Sequence, residues 1–434
     1  MEEKKVVLRE LLLKHPADIA EVLANLSDTQ AVELLHRLYL RKAAAEPLGE
    51  MEPEDSAELF SELDPQEAIK ILSRMDPDDA VDLLEELPAA EQQKILSQLG
   101  REDATILTDL LAYPSDTAGG LMSPEFVALS LNMSAQEAIG LLRQRVEEAE
   151  TVYYAYAVDD EGYLQGVLSL RDMALAQPAT RLASLLQRDA ISVPVDTDAE
   201  EVARLFDKYN YYALPVVDQQ QKLIGIITID DVLDVIREEA TEDFLKFGGI
   251  SGGEEYPHTP PRASIRRRLP WMAGNIILNI FAVSAIAIFE GTISRVVALA
   301  VIMPIISDMG GNIGLQALSV SIRGLAVGKV TIHELWQVAR KELTVGIVNG
   351  LILGLQIGVI AYIWRGSFFL GAIAAVAMSL NTIAAGVLGA TLPILLKWLR
   401  LDPAMMTGAI LTTITDFAGF FIFLGLGTIF VARL

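Results

Sequence analysis

No cysteine occurs in the 434 residues, so disulfides, thiolate metal sites and cysteine nucleophiles are excluded. Histidine is nearly as scarce: His15, His36, His258 and His333 are the four, and none lies inside a long apolar run. Basic residues are few, 34 against 58 acidic ones, which leaves a net charge of −24. Phosphate binding needs clustered lysine and arginine, so no nucleic-acid partner is expected. Signatures of nucleotide-driven pumping are missing too. There is no GxxxxGKS or GxxxxGKT and no DKTGT, and GLAVGKV at 324–330 is too short and ends wrongly.

What is present divides in two. Residues 1–263 hold 52 acidic and 22 basic side chains, whereas residues 264–434 hold 6 acidic and 12 basic ones. An acidic, water-soluble half is joined to an apolar, mildly basic half. In the second half, apolar runs recur at 269–289, 296–322, 343–363, 368–396 and 404–431. At about 1.5 Å rise per residue each is long enough to cross ~30 Å of hydrocarbon. Five such runs in succession are too many for a soluble core, so the reading is a five-span membrane domain.

Charge in the loops sets the orientation. Arg266, Arg267, Arg268, Arg323, Lys329, Arg340, Lys341, Lys397 and Arg400 lie on one side, against Arg295, Arg365 and Arg433 on the other. That excess places the N-terminus in the cytoplasm and the C-terminus outside an inner, or plasma, membrane. Met1–Lys5 is charged and no apolar segment follows, so no cleavable signal peptide is expected.

Between residues 52 and 111 the acidic half repeats every twelve residues: EPEDSAELFSEL, DPQEAIKILSRM, DPDDAVDLLEEL, PAAEQQKILSQL, REDATILTDLL. Pro53, Pro65 and Pro77 are in step, as are Leu63, Met75, Leu87, Leu99 and Leu111. Asp64 and Asp76 suit N-caps, with proline at the first helical position. One short helix per repeat, stacked on its neighbours, is the expected architecture. Asp76, Asp78, Asp79, Asp82, Glu85 and Glu86 crowd one stretch, and a solvated face is the ordinary reading of such a run.

From residue 122 to 245 the order β-α-β-β-α appears twice. One copy runs through FVALS, a helix from Ser134 and TVYYAYAVDDEGYLQGVLSLRDMALA; the other runs through AISVPVDTDAEEVARLFDKYNYYALPVVDQQQKLIGIITIDDVLDVI. This pair resembles tandem CBS (cystathionine-β-synthase-type) modules, regulatory units that often bind adenine nucleotides. If the resemblance extends to the ligand, Tyr154, Asp172 and Tyr211 line a nucleotide cleft that would take ATP. Residues 241–268 then link the halves, helical through Phe244 and looser at Gly248-Gly249 and at Pro257, Pro260 and Pro261.

Two acids lie well inside the spans. Asp308, Asn312 and Gln316 are spaced by four and share a helical face, while Gly310, Gly311 and Gly314 either admit a neighbouring backbone or let the helix break. Gly408, Thr412 and Asp416 are likewise spaced by four. Such faces can glue helices together, but a carboxylate at mid-membrane costs roughly 2.5–3.5 kcal/mol and needs a reason. Gly346, Gly350, Gly354 and Gly358 form a small-residue ridge suited to packing. Carboxylate plus carbonyl and amide oxygens, without His or Cys nearby, describe a site for a hard cation. One aspartate cannot hold a divalent ion alone, so two chains would each contribute Asp416 across a two-fold axis. Mg²⁺ suits so sparse a site because it keeps most of its waters, which Thr412 could help to hold.

At these residues the sequence resembles the MgtE family of magnesium transporters and channels, through SDTAGGLMSPEFVAL, ITIDDVLDVIREEATEDF, MPIISDMGGNIGLQALSVSIRGLA and DPAMMTGAILTTITDFAG. The resemblance implies a multidomain chain: an acidic all-α helical-repeat domain at 1–121, an α/β tandem CBS pair at 122–245, a connecting segment at 246–268 and an α-helical membrane domain at 269–434. It implies a homodimer in lipid that conducts Mg²⁺ passively, is closed by cytosolic Mg²⁺ and is not an enzyme. Asp416 would be the pore filter, with Thr412, Asn312 and Asp308 nearby. Sensor ligands carried over by motif are Asp198, Glu200, Asp231, Asp234, Glu239, Glu242 and Asp243, with Asp402 facing them and Asp78 and Asp82 in the repeats. Asn210 stands where some relatives carry a sensor acid, and Gly408 and Leu315 where some carry pore-side asparagines. The competing readings are a CBS-regulated transporter of another divalent ion such as Co²⁺, and an intramembrane aspartyl protease using Asp308 and Asp416.

Overall fold

The computed structural model describes residues 11–145, 149–187, 191–250, 255, 257 and 259–433, so His258 lies outside the described residues. Two compact units, 1–237 and 238–434, divide the chain.

In the first unit, helices α1 (Pro16–Ala24), α2 (Asp28–Tyr39) and α3 (Ala45–Gly49) precede the repeats. The twelve-residue period then appears as α4 (Pro53–Ser61), α5 (Pro65–Leu72), α6 (Pro77–Glu85), α7 (Ala89–Leu96) and α8 (Arg101–Leu110). Proline supplies the preset φ and loses no hydrogen bond at the first position of α4, α5 and α6. Leu63, Met75 and Leu87, one per repeat, are buried in a shared core. Asp64 caps α5 by accepting from the Gln66 N–H at 2.9 Å. Asp76 occupies the equivalent position on α6 but makes no capping bond, because its carboxylate is directed elsewhere.

Each CBS-type module is a small three-stranded sheet with two helices. In the first, β1 (Ala128–Leu129) runs parallel to β2 (Tyr154–Val158), which pairs antiparallel with β3 (Leu164–Ser169). The second repeats this with β4 (Val193–Pro194), β5 (Ala213–Val217) and β6 (Leu223–Thr228). Helices α9 (Ala135–Gln144) and α10 (Leu170–Leu175) belong to the first module, α11 (Ala199–Tyr209) and α12 (Ile229–Phe247) to the second, although α12 continues into the other unit. A capping box between Ser134 and Glu137 starts α9. Asp159 and Asp218 close the same hairpin turn in the two modules, each accepting two backbone N–H bonds at 2.8–3.1 Å. Asn210 ends α11 at φ 54°, in the left-handed region that asparagine tolerates better than most residues.

In the second unit, five helices are long and apolar enough to cross a membrane. They are α13 (Pro261–Ile288), α15 (Ala298–Ala326), α16 (Leu335–Arg365), α17 (Phe368–Trp398) and α18 (Pro403–Ile429), with the short α14 (Glu290–Arg295) between the first two. The basic Arg266–Arg268 stretch is already helical within α13. Large apolar side chains such as Ile277 (71% exposed) and Leu355 (68%) point outward, as a lipid-facing surface requires. Inside, the glycine ridge of α16 does what its spacing predicts. A Cβ on Gly346 would lie 3.0 Å from the Ile383 backbone, and one on Gly350 2.9 Å from the Ser379 carbonyl, so α16 and α17 meet backbone to backbone. Helix α15 is continuous through Gly310, Gly311 and Gly314. Those glycines serve close approach: a Cβ on Gly389 of α17 would sit 2.2 Å from the Gly314 carbonyl.

Candidate cation sites

The acidic run of α6 is not uniformly solvated. Asp78 is buried at 8% exposure, and its Oδ1 has no hydrogen-bond partner. Asp79 packs onto α3, where Gly49 leaves room for its carboxylate. Asp76, freed from capping, meets Glu125 and Glu150 of the first CBS-type module, with one carboxylate oxygen from each lying within 4.8 Å of the others. The Glu150 N–H donates to the Glu125 carbonyl at 2.9 Å, and the Ser123 hydroxyl donates to the Glu150 carboxylate at 3.3 Å, so the module presents both acids together. Asp231, at the start of α12, accepts from the Thr228 hydroxyl at 2.7 Å.

Six acids thus converge, and the proton affinities of five of them record it. Burial, reinforced by Asp76 and Asp231, pushes the Asp79 carboxyl up to about 8. Burial and the charges of Asp76 and Asp231 push Glu150 to about 7. Asp231 is lifted to about 6 by burial against the opposing pull of the Thr228 hydroxyl. Asp78 is raised by burial and then by Asp231, and Asp76 by burial and then by Glu46 and Asp230. A pocket of half-desolvated carboxylates that hold protons near neutrality is a place where a divalent cation would be accepted in exchange. Its oxygen-only donors match a hard cation such as Mg²⁺ or Ca²⁺.

The other motif-derived sensor residues lie apart from this triad. Asp198 caps α11, accepting from the Glu200 N–H at 2.9 Å, and Glu200 pairs with Arg204. Asp234 is exposed and pairs with Arg237 at 3.1 Å. Glu239 and Asp243 are half-buried on α12. Glu242 and Asp402 share Lys246, at 2.8 and 3.4 Å, which ties α12 to the start of α18. Asp82 is exposed, within electrostatic reach of Asp79. In the CBS-type pair, Tyr154 and Tyr211 lie close enough to influence one another, while Asp172 is exposed on α10.

In the second unit, Asp416 is half-buried on α18 and accepts a hydrogen bond from the Ser307 hydroxyl of α15. Asp308, next along α15, is close enough to Asp416 to repel it, and accepts from the Asn312 amide at 3.1 Å. Asp308, Asn312 and Gln316 are all exposed on the surface of the single chain. Thr412 donates within its own helix, to the Gly408 and Ala409 carbonyls at 3.1 Å, which leaves its oxygen able to accept from water. Sequence reasoning missed Ser307, and also Asp76, Asp79, Glu125 and Glu150 as a group. Only the failure of Asp76 to behave as a cap distinguishes it from Asp64, and that is invisible before the fold is known.

Family comparisons agree with this architecture. The model described as "Divalent cation transporter" matches residues 303–426, the MgtE intracellular N domain matches 14–116, and CBS domains match 118–178 and 182–238. The magnesium transporter MgtE of Thermus thermophilus is 39% identical over 326 residues, spanning 75% of this chain and 71% of that protein. That of Bacillus subtilis is 35% identical over 325 residues, 75% of this chain and 72% of that protein. The crystal structure of the cytosolic domain of the Mg²⁺ channel MgtE in complex with ATP matches at 38% identity and a TM-score of 0.51, covering 54% of this chain and 94% of that one. With its helical repeats, CBS pair and five apolar helices in that order, the chain belongs to the MgtE family of divalent cation transporters.

Proposed function

We propose that two copies of this chain form a passive Mg²⁺ pathway, uptake being directed into the cytoplasm and closed by Mg²⁺ bound to the acidic first unit. One observation carries the pathway. The face of α15 bearing Asp308, Asn312 and Gln316 is polar, lies within a span and is exposed on the single chain, beside the half-buried Asp416. Hydrocarbon does not tolerate such a face, and its carboxylate is costly in a dry helix pair. A second copy about a two-fold axis would enclose it and oppose two Asp416 carboxylates across an aqueous path. The kinship with proteins named as magnesium transporters supports Mg²⁺ as the cargo. With the excess of basic loop residues on one side, the C-terminus lies outside.

The gate follows from electrostatics. Residues 1–263 carry 52 acidic against 22 basic side chains, so apposed copies repel, and cations in the Asp76–Glu125–Glu150 pocket would relieve that repulsion. Turning a gate from 1:99 to 99:1 needs ~5.5 kcal/mol, more than one weak site delivers. Asp198, Glu200, Asp234, Glu239, Glu242, Asp243 and Asp402 supply further oxygen donors for the remaining sites. ATP would bind the CBS pair near Tyr154, Asp172 and Tyr211, as the ATP complex of the similar cytosolic domain suggests. The functional division is that of a repeat domain at 1–121, a CBS pair at 122–245, a connecting segment at 246–268 and a membrane domain at 269–434.

Reconstituted liposomes test both halves of the proposal. Mg²⁺ influx down its gradient should vanish in Asp416→Ala and should be suppressed by Mg²⁺ on the side of the first unit. Unchanged influx in Asp416→Ala removes the pore assignment, and greater influx of Co²⁺ than of Mg²⁺ removes the cargo assignment.

A further inference from the structure

Asn381, midway along α17, has no exposed surface. Its Nδ2 donates to the Ile306 carbonyl of α15 at 2.9 Å, while its Oδ1 is buried with no hydrogen-bond partner. Two glycines make room for this amide. A Cβ on Gly310 of α15 would lie 2.2 Å from Nδ2, and one on Gly419 of α18 would lie 2.9 Å from it. The side chain is therefore wedged between α15 and α18 at the level of both glycines.

Those glycines are each three residues, just under one helical turn, beyond the two members of the Ser307–Asp416 hydrogen bond. The carbonyl that Asn381 holds belongs to Ile306, so the anchored peptide unit is the one whose nitrogen belongs to Ser307. Helix α17 thus fixes, from a third direction, the residue that grips the Asp416 carboxylate. A leucine or methionine would fill the same space without burying an unmet carbonyl oxygen, and burying one is unfavourable. Filling space does not account for an amide here; anchoring the Ile306–Ser307 peptide does.

We propose that Asn381 is a positioning residue for the pore carboxylate: by holding α15 and α18 at the separation where Ser307 reaches Asp416, it sets the orientation in which Asp416 meets the hydrated cation. This rests on the reading of Asp416 as the pore residue. Groups that orient a metal-binding side chain typically change metal affinity ten- to hundredfold when removed.

The test is the concentration dependence of Mg²⁺ influx into liposomes holding the full chain. Asn381→Asp keeps the shape and, when ionised, removes the donor; Asn381→Leu fills the space, removes the donor at every pH without a buried charge, and keeps the test available if the aspartate variant fails to fold. Either should raise the half-saturating Mg²⁺ concentration about tenfold or more, with maximal influx per folded protein little altered. Ser307→Ala should do the same, and its combination with either Asn381 variant should add little, since both act through one hydrogen bond. Half-saturation within twofold of the parent in both Asn381 variants, or effects that multiply with Ser307→Ala, would overturn the proposal. Asp416→Ala, run beside them, separates the failures. Influx that survives it sinks the pore reading and this inference with it, whereas influx lost there but unmoved by Asn381 changes sinks the inference alone.

Discussion

Binding of Mg²⁺ to the acidic pocket of the first unit should expel protons, and the number follows from the carboxyl groups themselves. At pH 7 Asp79, raised to about 8, is mostly protonated; Glu150, at about 7, is half protonated; Asp231, at about 6, is mostly ionised. Together these three hold roughly one and a half protons, before any carried by the raised Asp78, that a divalent cation would displace. The apparent Mg²⁺ affinity of the pocket should then rise at least about thirtyfold for one pH unit near neutrality. Calorimetric titration of Mg²⁺ into the full chain, in buffers of different ionisation enthalpy, counts the protons directly. Asp79→Asn should reduce the count by about one proton, because that carboxyl is mostly protonated at pH 7. Heats independent of buffer, or an affinity flat between pH 6 and 8, would exclude this exchange of protons for cation. The sign for stability is the reverse. Folding lifts Asp79 from 3.8 to about 8, so the folded state holds more protons than the unfolded one across that window. Without divalent cation, stability therefore falls as pH rises through it, and Mg²⁺ should flatten the dependence.

Three further outcomes are expected. Asp78→Asn, which replaces a buried carboxyl pressed by Asp231 and Glu150 with a neutral amide, should raise the unfolding temperature in chelator and shrink the additional rise that Mg²⁺ gives. Gly350→Ala drives a methyl group into the Ser379 backbone and should cost about 1–3 kcal/mol in thermal unfolding, whereas Gly274→Ala, with nothing within 4 Å, should leave stability unchanged or slightly raised. Tyr211→Ala should weaken ATP binding, measured by equilibrium dialysis, without changing Mg²⁺ influx in the absence of nucleotide; equal affinity in the variant would remove the tyrosine from the cleft.

Much of the fold was legible because periodicity is written locally. The twelve-residue step of Pro53, Pro65 and Pro77 became helix starts at those residues, and the four-residue glycine step on α16 became a backbone contact. Candidate site residues stood out in the sequence only where a polar residue interrupts an apolar pattern, as Asp308 and Asp416 do. The acidic pocket was not, since Asp76, Glu125 and Glu150 come from separate elements and nothing in their spacing relates them. Asp78 and Asp79 looked like a solvated run because sequence shows charge, whereas burial is decided by what packs on it. Ser307 and Asn381 are ordinary polar residues in long apolar helices, and which neighbour each reaches across a helix interface shows only in the fold.

The most direct measurement is anomalous scattering from crystals of the full chain grown with Mn²⁺ in place of Mg²⁺. A peak is expected on a two-fold axis, flanked by Asp416 from both copies at water-mediated distance. An Asp416 facing lipid, or sealed in dry packing with no peak beside it, would contradict it.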